Sequence, residues 1–588
     1  MTNANGSRIG DWTVLDTNFG NGSTFLRIWN DHRAGARPAG TLHYVALAPE
    51  APSVEVVRQS SQIYPALMDQ VDPLRKHWSG LARGFHRFRL DGGKVSLTLC
   101  VGDRLKLLRE QQFLADEVML ELAQKEAEKW DLWQFKALAR LCRRQTQVSF
   151  DLLPDTLQGD MRQCGFVMAQ NPEAGAPCVA RYDPPWDIKR TRTPWADPAA
   201  NHSHANKRPG RTCAVVGAGL SGASVAAVLA QRGWKVLVLD LAATPAQGAS
   251  GLPVGLMVPH VSSDDSPRSR LSRSGIHLTR QWAEVLLTAE RDWRASGVLE
   301  RFRSTTAPDA GGSTEMADLW HSRAAWVKPA ALVQAWLAQT GIEFRGDCEV
   351  ATISQVLSPP DTTAPESSAA LTWQLRDPQG RLVALADHVV LACAQAVTTL
   401  FKAARDDAAS VGGTPALMQV IPAMQGLKGQ VSWARQRPTL DKVLPAFPVN
   451  GQGSVIAHVP WQNNLAWFVG ATYTSDATEP LSVAQQHQLN FERLARLLPD
   501  CAGALADDFE RGSVRAWSQT RCVTKDRLPV VGPLNQERSL WVSTAMGSRG
   551  LSFAALCAEL LAAQMNSEPL PVEASLAAFL DSRRAVRS

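Results

Sequence analysis

The chain has 588 residues, of which 45% are hydrophobic and 20% charged, and carries a formal net charge of +5. That length exceeds what one core can organise and predicts about three to four domain-sized units, while the balance of apolar and charged residues excludes an intrinsically disordered chain. The charge permits a polyanionic partner without requiring one, because clustering matters more than the sum.

Ten cysteines are scattered with no CxxC pair, so buried thiols are expected rather than a zinc site or a disulfide framework, and no metal is expected. Met1 to Thr13 is polar, and no window holds the ~18 apolar residues of a membrane span. Cytoplasmic residence and a monomer are the default expectations.

Trp12 to Asp16 is apolar and strand-like, and it runs into Asn18-Phe19-Gly20-Asn21-Gly22 before a helical run, Ser23 to Trp29. Strands are predicted at Leu42 to Leu47 and at Val95 to Val101, the latter ending at Gly102-Asp103, with helical segments such as Ser53 to Met68 between them. That strand, glycine, helix rhythm predicts an open α/β sheet. Glu117 to Trp130 is charged and helical in character. Pro172 to Gly210 lacks periodicity and reads as a connection, giving a first domain over 1–175 and a linker over 176–210. Its basic residues Lys189, Arg190, Arg192, Lys207 and Arg208, with Arg211 just beyond, are interleaved with Trp186, Trp195 and His204. A solvated linker and a contact to RNA phosphates explain that pattern equally well.

The most organised stretch is Arg211 to Asp240. A short apolar strand, Cys213 to Val216, meets Gly217, Gly219 and Gly222 in the spacing GxGxxG. The helical run Ala223 to Arg232 follows, and a second strand, Lys235 to Leu239, is closed by Asp240. Gly217 allows the tight turn, Gly219 lets a pyrophosphate approach bare backbone, and Gly222 lets helix and strand pack closely. The helix N-terminus favours the pyrophosphate, and Asp240 accepts from the adenosine ribose. An acid rather than an arginine at that strand end fits FAD or NAD better than NADP.

Downstream, Gly248-Ala249-Ser250-Gly251 forms a second loop of small residues through which backbone can approach a flat ring. Ser262 to Arg280, carrying Arg268, Arg270, Arg273 and Arg280, reads as a helix with a face for water or RNA. Ala325 to Leu337 reads as a helix starting near Lys328-Pro329. Strand patterns at Glu349 to Ser354 and Asp387 to Ala394 look like the return of the nucleotide-binding domain. Lys428 to Trp433, Ser454 to His458 and Leu465 to Tyr473 predict an antiparallel sheet. The last informative segment, Trp517 to Glu559, runs through Arg521 and Asp526 to Leu534, a strand at Leu540 to Thr544, and Gly547-Ser548-Arg549-Gly550-Leu551 opening an apolar helix.

Taken together, these motifs resemble the bifunctional tRNA 5-methylaminomethyl-2-thiouridine biosynthesis (MnmC) family over almost the whole chain. The matches are DRLPVVGPL at 526–534, GSRGL at 547–551, GATY at 470–473, and Gln247 to Gly255 against QGASGNPAG, with Leu252 in place of the family's Asn. The resemblance implies mixed α/β and α+β architecture: a Rossmann-like methyltransferase-type domain fused to an FAD-binding oxidoreductase of the D-amino-acid oxidase and glycine oxidase type. The oxidoreductase would occupy 211–588, with nucleotide-binding parts over 211–425 and 515–588 and a substrate sheet over 426–514. It implies FAD held by Gly217, Gly219, Gly222, Asp240, Gly248, Ala249, Ser250, Gly251, Gly547, Ser548, Gly550 and Leu551, with Arg521 and Arg549 as ligands of a substrate carboxylate. It implies S-adenosylmethionine at Asp16, Gly20, Gly22 and Asp103, and tRNA as the substrate.

Two departures bear on the first domain. Ala48 stands where the family carries an acid for the ribose, with Glu50 nearby, and Glu121-Leu122-Ala123 replaces a DGF stretch. A working methyltransferase and a retained scaffold that binds RNA are both open readings. For the second domain the alternatives are a free-standing glycine or sarcosine oxidase-like enzyme, a flavin-containing tRNA-binding scaffold, and an NAD-linked dehydrogenase.

Overall fold

The computed structural model describes residues 10–78, 80–121, 130–151, 154–169, 178–188, 211–301, 318–358, 370–410, 421–475 and 481–584. The chain divides into two compact units, Met1–Pro209 with Glu559–Ala578, and Gly210–Ala558 with Phe579–Ser588. Among the described residues no helix is long and apolar enough to cross a membrane. The linker residues Lys189, Arg190, Arg192, Trp195, His204, Lys207 and Arg208 lie outside the described residues, as do Leu122 and Ala123.

The first unit is built on an eight-stranded sheet in the order Gly84–Leu90, Val95–Val101, Leu42–Ala48, Trp12–Asp16, Ala115–Met119, Cys142–Phe150, Cys178–Tyr182, Phe166–Met168. The five strands from Val95–Val101 to Cys142–Phe150 run parallel, and the edge strands are antiparallel. Successive residues enter opposite cores, Val14 with Phe25 and Tyr44 on one face and Leu15 with Val118 and Phe135 on the other. Burial of both faces is why these strands read as continuous apolar runs.

Three expectations for this unit are corrected. Ala115–Met119 is a strand, although Glu117 to Trp130 has helical composition. Its charges are satisfied across the sheet: Asp116 accepts from the Thr13 amide at 2.9 Å and pairs with Arg143, and Glu117 pairs with Arg37. Cys178–Tyr182, inside the stretch read as a connection, is a strand between Cys142–Phe150 and Phe166–Met168. The helical run from Ser53 is also interrupted. Helix Val54–Ser61 is capped by the Ser53 side chain, and the chain breaks before Pro65, whose ring disfavours helix in the residue preceding it.

The second unit carries a six-stranded sheet ordered Ile342–Arg345, Lys235–Leu239, Thr212–Val216, His388–Leu391, Leu540–Thr544, Val530–Pro533. All neighbours are parallel except the last pair. Helix Leu220–Ala230 is buried at every position from Leu220 to Leu229, which its alanines, serines and single glycine allow. A three-stranded antiparallel ribbon, Thr352–Ser358, Ala370–Arg376 and Leu382–Ala386, returns the chain to the central strand His388–Leu391.

A second large sheet is centred on Met424–Arg435, Gly453–Trp461 and Asn464–Gly470. Helices Val483–Leu497 and Pro499–Glu510 cover one face through Val455, Trp467 and Val469. The other face presents Val431, Ile456 and Phe468. This sheet draws on residues outside 426–514: Val298–Glu300, Leu319–His321 and Arg515–Thr524 are also its strands. The helix expected to start near Lys328-Pro329 begins at Pro329 and ends at Leu337, whereas Ala325–Val327, read into the same run, is a strand pairing with Gly255–Met257 and Trp293–Arg294. Lys328 precedes that proline, so it is held in the extended region and the helix cannot start earlier.

Candidate functional site

Strand Thr212–Val216 ends at Gly217, whose φ of +111° and position 2.7 Å from the Ala392 carbonyl oxygen, measured from where a Cβ would stand, exclude any side chain. A Cβ on Gly222 would run into the carbonyl oxygen of Gly217, so the first turn of helix Leu220–Ala230 rests directly on the glycine turn. Gly219 is that helix's N-cap and offers no side chain to its free amides. The Leu220 amide donates to Ser250 Oγ at 2.9 Å, tying the second small-residue loop to the same helix start. At the end of strand Lys235–Leu239, Asp240 accepts from the Ala218 amide at 2.6 Å and the Ala242 amide at 2.9 Å. Asp240 thus shapes the glycine turn as well as facing the cavity, a role the motif alone did not disclose.

These residues line one cavity of about 870 Å³ within the second unit. Gly217, Gly219, Asp240, Gly248, Ala249 and Ser250 lie on its wall, joined from far along the chain by Arg521 and by Gly547, Ser548, Arg549, Gly550 and Leu551. Gly222 and Gly251 do not line the cavity; Gly222 acts behind the wall through helix packing, and a side chain on Gly251 would press on the Ala246 carbonyl. The start of helix Gly550–Asn566 opens on the cavity, so its positive end is available to negative charge there. Val431, Ile456 and Phe468 supply an apolar wall from the second sheet.

Arg521 is the least balanced group in this cavity. It sits on strand Arg515–Thr524, is 8% exposed, and its Nη1 is buried without an acceptor among the described residues. Its guanidinium stacks 5.1 Å from the ring of Tyr473. A side chain at Gly429, on the neighbouring strand, would collide with it. Arg549 is better anchored: its Nη1 donates to the Val258 carbonyl at 3.2 Å, and burial, then the nearby Arg268, hold its pKa below the usual arginine range. Cys348, Cys393 and Cys522 also line the cavity. Burial pushes the Cys393 thiol up to about 12 and the Cys522 thiol up to about 11, so both stay protonated at neutral pH.

Two groups beside the cavity escaped the sequence reading. Tyr473, one of four tyrosines in the chain, was noticed only as the end of a GATY stretch. Arg268 was assigned merely to a helix face, yet it donates to His260 Nε2. Neither spacing nor composition carries a signal for such pairings, which join separate elements.

The residues present fit an FAD. The glycine turn and a helix start whose N-cap, Gly219, carries no side chain suit a pyrophosphate, Asp240 stands at the strand end for a ribose, and the cavity wall includes Arg521, whose buried Nη1 has no acceptor among the described residues.

In the first unit, Asp16 ends strand Trp12–Asp16 and is 1% exposed; it accepts from the Asn18 amide at 3.0 Å and from the Tyr44 hydroxyl at 2.5 Å. Burial pushes its carboxyl up to about 7. Gly20 and Gly22 have φ of +53° and +79°, and Gly22 caps helix Ser23–Arg33. Asp103 is the N-cap of helix Arg104–Arg109, its carboxylate taken by the Lys106 amide at 2.9 Å. Ala48 ends its strand with no acid, and Glu50 is exposed. The Glu121 carboxylate lies near Gly20, and desolvation, then the nearby Asp151, pushes its pKa above the usual carboxylate range.

The family model for FAD dependent oxidoreductases (DAO) matches residues 212–311 and 305–564. The chain is 44% identical over 598 aligned residues to the "tRNA 5-methylaminomethyl-2-thiouridine biosynthesis bifunctional protein MnmC" of Albidiferax ferrireducens, covering 97% of this chain and 93% of that protein. It is 40% identical to the protein so named from Polaromonas naphthalenivorans, covering 98% and 90%. With the glycine turn, the late GSRGL helix start and the arginine-bearing cavity joined in one fold, the chain belongs to the MnmC family and carries an FAD-dependent oxidoreductase unit of the DAO type.

Proposed function

We propose that the second unit removes the carboxymethyl group from 5-carboxymethylaminomethyl-(2-thio)uridine at the wobble position of tRNA, leaving the aminomethyl form. Bound FAD supplies the hydride acceptor for the N–CH2 carbon, and water hydrolyses the resulting imine to glyoxylate and the free amine. The chain's own part is to bind and orient. The observation that carries the reading is the buried Arg521 Nη1, which has no acceptor among the described residues and would be matched by a substrate carboxylate.

A planar fork takes a carboxylate bidentately, and Tyr473 against the guanidinium limits how it can swing. The wall of Val431, Ile456 and Phe468 excludes water, which strengthens that ion pair. A substrate without the carboxylate leaves Arg521 unmatched at a cost of about 2–4 kcal/mol, which separates the carboxymethylated base from the product. Arg549, fixed by Val258 in the turn just before helix Gly550–Asn566, adds positive potential to the cavity wall. The start of helix Gly550–Asn566 favours negative charge that develops nearby during oxidation.

The first unit offers S-adenosylmethionine a poor fit, because Ala48 brings no carboxylate to the ribose and Asp103 is engaged as a helix cap. In this reading the first unit is a retained scaffold with weak or absent methyl transfer. A tRNA substrate supports a cytoplasmic location. Incubating the protein with hypomodified tRNA and profiling nucleosides by mass spectrometry tests the reading: the carboxymethylaminomethyl nucleoside should fall and the aminomethyl nucleoside rise. Turnover of free glycine or sarcosine with an unchanged tRNA profile would contradict it.

A further inference from the structure

From the wall of the cavity outward, three guanidinium groups have no carboxylate ion pair among the described residues. Arg549, on the cavity wall, donates to the carbonyl of Val258. Two residues along the same segment, His260 Nε2 receives Arg268 Nη2, from the first turn of helix Pro267–Leu286. Arg527, exposed on the turn after strand Arg515–Thr524, is near enough to Arg268 to depress its pKa further below the arginine range after burial has lowered it.

The partner of Arg268 does not cancel its charge. His260 Nε2 accepts, so its proton sits on Nδ1, which lies 2.9 Å from Ser269 Oγ, and the imidazole is neutral. Burial and then the charges of Arg268 and Arg549 keep it so, holding its pKa down to about 4. The acids around the group are committed elsewhere: Asp265 pairs with Arg273 at 2.6 Å, Glu300 holds His321 at 2.7 Å and Asn450 at 3.2 Å, and Asp526 pairs with Arg584 at 2.9 Å. Asp264, exposed beside His260, is the remaining acid. Three like charges held together against one exposed acid, Asp264, and the already paired Glu300 leave an excess of positive charge that suits an anion.

We propose that Arg268 and Arg527, continuing outward from Arg549, form a track for RNA phosphodiesters that grips the backbone next to the nucleotide whose base enters the cavity. The chemistry is that of the guanidinium fork, which matches a phosphate bidentately. A loop nucleotide must leave its stack to present its base to a buried site, and backbone contacts are what hold it in register. His260 acts as a positioning residue, locking Arg268 without adding charge. The inference rests on the tRNA reading of the cavity and names the feature that would distinguish a polynucleotide substrate from a free amino acid.

The test uses the full-length, flavin-loaded protein and its Arg268→Ala, Arg527→Ala and Arg268→Lys variants. Two substrates are compared: hypomodified tRNA, and the free carboxymethylaminomethyluridine nucleoside, which has no phosphate. Each alanine variant should raise KM for tRNA roughly tenfold with kcat little changed, and nucleoside kinetics should stay at wild-type values. Anisotropy with a labelled anticodon stem-loop should show the slope of log K against log salt falling by about 0.7–0.9 per arginine removed. Arg268→Lys should restore part of the affinity. Variants with unaltered tRNA KM and salt slope would overturn the track while leaving the oxidase reading intact, as would equal losses on tRNA and nucleoside. Wild-type protein that neither binds nor alters the tRNA would sink both.

Discussion

Replacing Arg521 by methionine should move activity and stability in opposite directions. The guanidinium is 8% exposed, its Nη1 has no acceptor among the described residues, and its compensation is the Tyr473 ring at 5.1 Å. Leaving such a group unmatched costs about 2–3 kcal/mol, and the ring returns about 1 kcal/mol of that. Methionine fills similar volume without charge, so the substrate-free variant should be more stable by about 1–2 kcal/mol. Catalysis loses the partner of the substrate carboxylate. A loss of about 2–4 kcal/mol in the transition state corresponds to roughly a 30- to 800-fold fall in kcat/KM. The assays are nucleoside mass spectrometry on tRNA for kcat/KM and a denaturant titration followed by flavin fluorescence for stability. Full flavin content, a raised midpoint and depressed turnover together are expected. A variant that binds no flavin would make Arg521 structural, and one with wild-type kcat/KM would remove the carboxylate clamp from the account.

Other expectations follow from the same geometry. Asp16 holds its proton up to pH about 7 in the fold but only to about 3.8 when unfolded, so stability is present at low pH and lost as pH rises through that window, by about 4 kcal/mol once the group ionises. Asp16→Asn should therefore stabilise the first unit at pH 8 and have little effect at pH 4, as read from urea midpoints; equal effects at both pH values would refute the assignment. Gly222→Ala forces a methyl group onto the Gly217 carbonyl and should yield protein depleted of flavin, checked by its visible spectrum. Cys393 and Cys522, with thiols pushed up to about 12 and about 11, should resist alkylation of the native protein at pH 8, as measured by peptide mass spectrometry. Labelled S-adenosylmethionine should transfer little or no methyl to aminomethyl-tRNA; robust incorporation would mean that another group replaces the missing acid at Ala48.

The dinucleotide turn was legible because its constraints are local. Gly217, Gly222 and Asp240 act within thirty residues of one another, and each is required by backbone geometry that the motif encodes. The sheet of the second unit was legible in its main strands because these alternate between the helix-covered face and the cavity. What sequence could not show is satisfied from a distance. Ala115–Met119 looks helical because Asp116 and Glu117 are charged, and only the fold reveals Thr13, Arg143 and Arg37 as their partners. Ala325–Val327 becomes a strand through Gly255–Met257 and Trp293–Arg294, some seventy and thirty residues away. Arg521 was singled out by its motif, but its placement beside Gly429 and Tyr473 is a property of two paired strands meeting the segment after Asn464–Gly470. The pairing of Arg268 with His260 has no sequence signal of any kind.

The most direct test of the central claim is anaerobic mixing of the purified protein with tRNA bearing the carboxymethylaminomethyl group, followed through the visible absorbance of the flavin. The account predicts that this tRNA bleaches the oxidised flavin and releases one glyoxylate per flavin reduced, while tRNA already in the aminomethyl form does neither. A protein without flavin colour, or a flavin bleached by glycine or sarcosine but untouched by the modified tRNA, would contradict it.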